Sequence, residues 1–358
     1  MTATSPSVSA PTQFIDLGDR RLAYRTIGSG QPIVLLVRYR GTMDDWDPLF
    51  LDNLAELGFQ VTIFDYSGLG QSGGSPSYNP GSLAKDAIEL IHALQLGKVV
   101  VGGWSLGGIA AQVVLAQAPQ VVSHAVLIGT TPPGHLAKPG EALFYEIARR
   151  ENDFEDFVSL FFEPDSGDSR ATAESAWARL SLRTHERSPE VPFEWAAQQL
   201  GEGPKNPVFP VEAVLNALKT TTIPVLHLGA DHDIVFPVEN WYALSRQLPT
   251  LTLVSFASAG HGPHMQYPQA AARHIAAFTS VYAEFGATSV ALALNRHHAP
   301  SIPPHCLGRH AITTNEDLSH MPAIPEPGFL RHNVQAMTAL LDHQAGCLQA
   351  QALHCLGG

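Results

Sequence analysis

Ser105 sits between Trp104 and Leu106, and glycines flank that trio at positions 103 and 107. A serine hydroxyl is a weak nucleophile near neutral pH. It needs a base within hydrogen-bond reach, and that base needs a third group to hold its tautomer. The flanking glycines have a physical reading of their own. Where a strand turns sharply into a helix, the positions two before and two after the turn residue approach so closely that a Cβ would clash. Lys98–Val101 supplies the buried strand, and Gly108–Gln117 has helical composition. Such a turn lifts the Ser105 hydroxyl out beside a helix N-terminus, where negative charge is favoured. A glycine-rich turn with an incidental serine has the same local signature, so the partners decide.

Two later segments supply them. After the apolar run Ile223–Leu228 comes Gly-Ala-Asp-His-Asp-Ile-Val-Phe-Pro, which carries Asp231 and Asp233. After Thr250–Phe256 comes Ala-Ser-Ala-Gly-His-Gly-Pro-His, which carries His261 and His264. Serine, then acid, then histidine, each just past a strand, is the order an alternating α/β sheet uses to assemble a nucleophile, an orienting carboxylate and a base.

The elements that must position these residues alternate along the chain. Phe14–Leu17 and Arg21–Ile27 read as a hairpin, Pro32–Val37 and Val61–Phe64 as buried strands, Trp46–Leu57 and Leu83–Leu94 as helices, and Ser123–Ile128 as a further strand. This alternation implies a mostly parallel sheet with helices on both faces. Residues 132–220 lack buried strand runs and are rich in aromatics, so a helical insertion is expected there. Helices are expected again at Val238–Leu248 and from Pro268 to Phe285. The core is therefore 14–131 with 221–285, preceded by a loose tail, 1–13. Residues 286–358 form an atypical extension that holds 8 of the 17 histidines and all three cysteines, without metal-ligand spacing. Disorder is expected for it, and truncation after Phe285 is expected to leave an active protein.

A net charge of −12 argues against a nucleic-acid-binding surface, and no apolar run approaches a membrane span. The first residues lack the basic and apolar parts of a secretory signal, so a cytoplasmic location is expected. Gly68-Leu-Gly-Gln-Ser-Gly73 fits G-x-G-x-x-G, but a dinucleotide fingerprint must open a helix, and here Ser-Pro-Ser-Tyr-Asn-Pro follows. Asp65, at the end of the preceding strand, reads as structural.

From about 14 to 285 the chain resembles the α/β-hydrolase superfamily. The similarity rests on Gly-Trp-Ser-Leu-Gly-Gly, on Phe-Asp-Tyr-Ser-Gly-Leu-Gly-Gln-Ser-Gly-Gly, on the acid loop and on Ala-Gly-His-Gly. That resemblance implies a helical cap inserted after the sixth strand. It assigns Ser105 as nucleophile, His261 as base and Asp233 as acid, with His264 as the rival base and Asp231 as the rival acid. It places the oxyanion hole on the backbone N–H of Leu106 and of Tyr39, with Arg40 as the alternative to Tyr39. Arg38 and Arg40 could instead hold a substrate carboxylate, or pair with Asp44 and Asp45 in solvent. Trp104, Arg40, Phe161, Trp177 and His264 are expected around the substrate. The implied activity needs no cofactor or metal and acts on a small-molecule ester or lactone. The same triad could serve C–C bond hydrolysis or perhydrolysis, and the same fold could serve ligand binding with little turnover.

Overall fold

A computed structural model of the chain describes residues 5–280 apart from 202 and 210. Strands β1 (Gln13–Leu17), β2 (Arg20–Ile27), β3 (Gln31–Leu36), β4 (Phe59–Phe64), β5 (Val99–Trp104), β6 (Val122–Ile128), β7 (Val225–Ala230) and β8 (Leu251–Phe256) form one sheet. Its order is β1-β2-β4-β3-β5-β6-β7-β8. The β1–β2 and β2–β4 pairs are antiparallel, and every pair from β4 onward is parallel. Each residue of β5 is buried, as a strand covered on both faces requires.

Helix α1 (Pro6–Ser9) precedes β1; α2 (Pro48–Glu56), α3 (Pro80–Ala93) and α4 (Leu106–Gln117) connect the successive parallel strands β3, β4, β5 and β6. Among the described residues five helices lie between β6 and β7: α5 (Ala142–Ile147), α6 (Phe154–Phe161), α7 (Gly167–Leu180), α8 (Phe193–Leu200) and α9 (Glu212–Thr220). The short helices α10 (Glu239–Tyr242) and α11 (Pro263–Gln266) follow β7 and β8, and a last described helix covers 268–280. Helix α4 is buried continuously from Gly107 to Leu115, as an all-round apolar helix must be.

The strand order reverses between β3 and β5. The chain leaves β3 toward one edge of the sheet and β5 toward the other. The loops after their carboxyl ends therefore diverge and leave a crevice, which is where open α/β sheets bind ligands.

Three expectations change. The segment before β1 is packed rather than loose over residues 5–12. Ser7 N–H donates to Asp52 Oδ1 at 2.8 Å, and Arg183 Nη1 donates to the carbonyls of Val8 and Ala10, each at 2.8 Å. A charged anchor 173 residues away from Ala10 in sequence leaves no local signal. The helix expected from Trp46 begins at Pro48, capped by the Asp47 side chain, and Trp46 is extended and buried. The helix expected over Val238–Leu248 is one turn followed by irregular turns. The extension at 286–358 and the truncation at Phe285 lie outside the described residues. No described helix is long and apolar enough to cross a membrane.

Candidate active site

Ser105 joins β5 to α4 with φ 58° and ψ −121°, a conformation that a residue with a side chain rarely adopts. Neighbours hold it there. Its N–H donates to the Ile128 carbonyl at 2.9 Å, and the Thr130 hydroxyl donates to its carbonyl at 2.7 Å. The glycine spacing has the expected cause. A Cβ on Gly103 would stand 2.1 Å from the Gly107 carbonyl oxygen, and one on Gly107 would stand 2.0 Å from that of Leu36. The second contact also seats the start of α4 against the end of β3, so the loop that carries Tyr39 lies beside the serine turn.

The loop after β7 brings in Asp233 and the loop after β8 brings in His261. His261 Nδ1 lies 2.8 Å from Asp233 Oδ2 and 3.0 Å from Oδ1, with both side chains buried. Asp233 Oδ1 also accepts the N–H groups of Val235 and Phe236, each at 2.8 Å. Burial pushes the Asp233 carboxyl up, but His261 and these two N–H groups outweigh it and hold the group below its ordinary value. Asp231 stands apart, half-exposed and 2.8 Å from His232 Nδ1. Of the two acids, Asp233 is the one that holds His261.

The His261 loop is fixed from two sides. Trp104 Nε1 donates to the His261 carbonyl at 2.8 Å, while the His261 and Gly262 N–H groups donate to the carbonyls of Leu160 and Phe161 at the end of α6. The Phe161 ring lies nearly parallel to the His261 ring at 6.2 Å between centroids. Trp104 is thus a buried brace between Ser105 and His261 rather than a lining residue. His264 is also fully buried, edge-on to Trp46, Phe50 and Trp104, and neither ring nitrogen meets a hydrogen-bond partner. Burial, with His261 and Arg38 adding to it, pushes the His264 ring down to about 3. A neutral histidine walled in by aromatics has no access to a substrate proton, so the structure places His264 behind the site.

Leu106 is the first residue of α4, so its N–H has no acceptor within the helix. On the other side of the crevice the Arg40 N–H donates to Tyr78 Oη at 2.9 Å, so that N–H is already bonded. The Tyr39 ring turns away and packs on Tyr78.

A cavity of about 480 Å³ opens between the loop after β3 and the helices α6 to α8. Phe161, Trp177 and Arg40 all line it, and Phe161 connects it to His261. Trp177, 42% exposed, stands on its wall. The loop acids diverge in their partners. Asp44 receives Arg25, Arg183 and the Ser188 N–H; Asp45 pairs with Arg38; Asp47 receives Nε and Nη2 of Arg179 at 2.8 and 2.6 Å. Asp65 is structural: it accepts the N–H groups of Met43 and Gln71 and the Ser188 hydroxyl, and a Cβ on Gly70 would stand 2.2 Å from its Oδ2. No helix follows the Gly68–Gly73 turn before Pro80. Sequence reasoning missed Thr130, Tyr78 and the Arg179–Asp47 pair, because each acts through a contact between distant segments.

The family model of the alpha/beta hydrolase fold matches residues 32–268. The chain belongs to that family. It is 26% identical over 263 residues to BpoC of Mycobacterium tuberculosis, a candidate non-heme bromoperoxidase, covering 70% of this chain and 94% of that one. It is 26% identical over 257 residues to a pimeloyl-[acyl-carrier protein] methyl ester esterase of Nitrosomonas europaea, covering 68% and 94%. Among solved structures, an alpha/beta hydrolase fold protein from Chitinophaga pinensis superposes with a TM-score of 0.65 at 29% identity, over 76% of this chain and 98% of that one.

Proposed function

We propose that this protein is a serine hydrolase of carboxylic esters or lactones that works through an acyl-enzyme. The observation that carries this reading is the buried 2.8 Å contact of His261 Nδ1 with Asp233 Oδ2, together with the strained Ser105 turn at the end of β5. Asp233 keeps the proton on Nδ1, which leaves Nε2 as the base. His261 takes the Ser105 proton as Oγ attacks the carbonyl carbon. The oxyanion forms toward the N–H groups of Leu106 and Tyr39. His261 then protonates the leaving alkoxide, and water, activated by the same nitrogen, releases the acid. In a lactone the alkoxide stays tethered and the chemistry is otherwise the same. The cavity of about 480 Å³ suits a small substrate.

A second reading draws on the similarity to BpoC. Hydrogen peroxide, in place of water, would accept the acyl group and leave as a peracid, with Ser105 regenerated. Both readings share the acyl-enzyme and differ only in the acceptor.

Turnover of p-nitrophenyl acetate and of an N-acyl homoserine lactone, by the native chain and by Ser105→Ala, tests the proposal. Hydrolysis by the native chain that falls by about 10⁴-fold or more in the variant is expected. Equal rates would end the assignment. Bromination of monochlorodimedone with acetate, peroxide and bromide, faster than ester hydrolysis, would favour the second reading.

A further inference from the structure

The inner wall of the cavity carries a cation that the protein does not neutralise. Arg38 and Arg40 flank Tyr39, and both side chains are half-buried. Arg38 is spoken for: it pairs with Asp45 and donates to the Tyr39 carbonyl at 2.8 Å. Arg40 meets no carboxylate among the described residues. Its Nη1 donates to the carbonyls of Ala148 at 3.1 Å and Arg150 at 2.8 Å, and its guanidinium carbon lies 5.9 Å from the Phe193 ring centroid. Those contacts fix the guanidinium without compensating its charge. Burial, with Arg38 adding to it, makes the charged form harder to keep, so an added anion would be worth more here than in open solvent. The backbone at Arg40 has φ 56°, a conformation suited to glycine, yet the position holds a long cationic side chain.

The remaining charges set the sign and reach of the site. Asp44 and Asp45 are bound to arginines, as described. Glu151, Asp153, Glu190 and Glu194 also line the cavity and are exposed, and so is Arg187, which donates to the Leu180 carbonyl at 2.8 Å. A half-buried guanidinium without a carboxylate partner, behind a mostly acidic exposed rim, suits a substrate whose charge lies at one end of an otherwise apolar chain.

We infer that Arg40 binds a carboxylate at the far end of the substrate, so that the preferred substrates are monoanionic esters or lactones carrying a free acid group. This deepens the ester and lactone reading and rests on it. Phe161 lies on the cavity wall and 6.2 Å from the His261 ring, so an acyl chain on Ser105 that runs past it would bring its far end to the guanidinium for a charge-assisted pair.

The test compares monomethyl esters of the C4 to C8 straight-chain dicarboxylic acids with methyl alkanoates of matched length. The native chain should prefer at least one half-ester in kcat/KM. Arg40→Gln and Arg40→Gly should each lower that half-ester to alkanoate ratio by roughly 10- to 100-fold, the weight of one charge-assisted hydrogen-bonded pair. The glycine variant accepts the φ at this position without strain and so guards against loss of fold. A preference for the neutral ester at every length, or a ratio that neither variant moves, would overturn the inference. Failure of both series to turn over would count against the esterase reading instead. Calorimetric titration of the half-esters onto Ser105→Ala then tests Arg40 without turnover. Binding weakened at least 10-fold by Arg40→Gln supports the inference, and binding absent or unchanged rejects it.

Discussion

The Thr130 hydroxyl donates to the carbonyl of Ser105 at 2.7 Å and ties the strained nucleophile turn to the chain just past β6. Trp241 Nε1 in turn donates to the Thr130 carbonyl at 2.7 Å. The geometry of the turn is thus set by the sheet neighbour as well as by its own glycines. Thr130→Val keeps the shape and removes the donor. It should cost about 1–2 kcal/mol of stability in urea unfolding. It should also lower kcat about 10-fold while KM changes little, and Thr130→Ser should restore most of the rate. A loss confined to stability would make Thr130 a packing residue only.

Asp233→Asn should lower kcat by about 10⁴-fold, because the amide no longer fixes the His261 tautomer. Asp231→Asn should stay within a few-fold of the native rate, since that carboxylate is half-exposed and turned toward His232. Steady-state kinetics on one ester separates the two, and a reversed pattern would move the acid by two residues.

Arg179 on α7 closes on Asp47, whose carboxylate is fully buried at the start of α2. Arg179→Met leaves that charge without its partner and should destabilise the protein by about 3 kcal/mol, read from the urea midpoint at unchanged slope. The cap on Leu49 N–H remains, so α2 itself should persist.

Acid should unfold this protein partly through its buried histidines. Burial pushes the rings of His264 and His227 each down to about 3, so the unfolded chain binds more protons between about pH 6.5 and 3. Stability therefore falls as the pH drops through that window, by up to about 1.4 kcal/mol per pH unit for each ring. Asp65 opposes this. Burial raises its carboxyl to about 6, so its contribution is complete below about pH 3.8 and is lost as the pH rises toward 6. The two histidines outweigh the one acid. His264→Leu should flatten the stability slope between pH 6.5 and 4, measured by urea unfolding at each pH.

The frame and the chemical residues were legible because they are written locally. Val99–Trp104 is apolar on both faces, and the glycines at 103 and 107 have a steric cause that any reader of spacing can find. The order of Ser105, Asp233 and His261 needs only the strand ends. What was not legible depends on contacts across the chain. The N-terminal segment looks loose because its partners, Asp52 and Arg183, lie on α2 and beyond α7. Trp104 and His264 looked like lining residues because aromatic character does not say which side of a crevice a ring faces. Arg38 and Arg40 are separated by the single residue Tyr39 and looked equivalent. Only the placement of Asp45 and of the Ala148 and Arg150 carbonyls separates them.

The central claim is that Ser105 is a nucleophile activated by His261. Treating the folded chain with an alkyl fluorophosphonate, then measuring intact mass and mapping the modified peptide, tests it directly. The account predicts one phosphonyl group per chain, on Ser105, and a labelling rate lowered by about 10³-fold or more in His261→Gln. A folded protein that takes no label, or takes it elsewhere at a rate His261→Gln leaves unchanged, would contradict it.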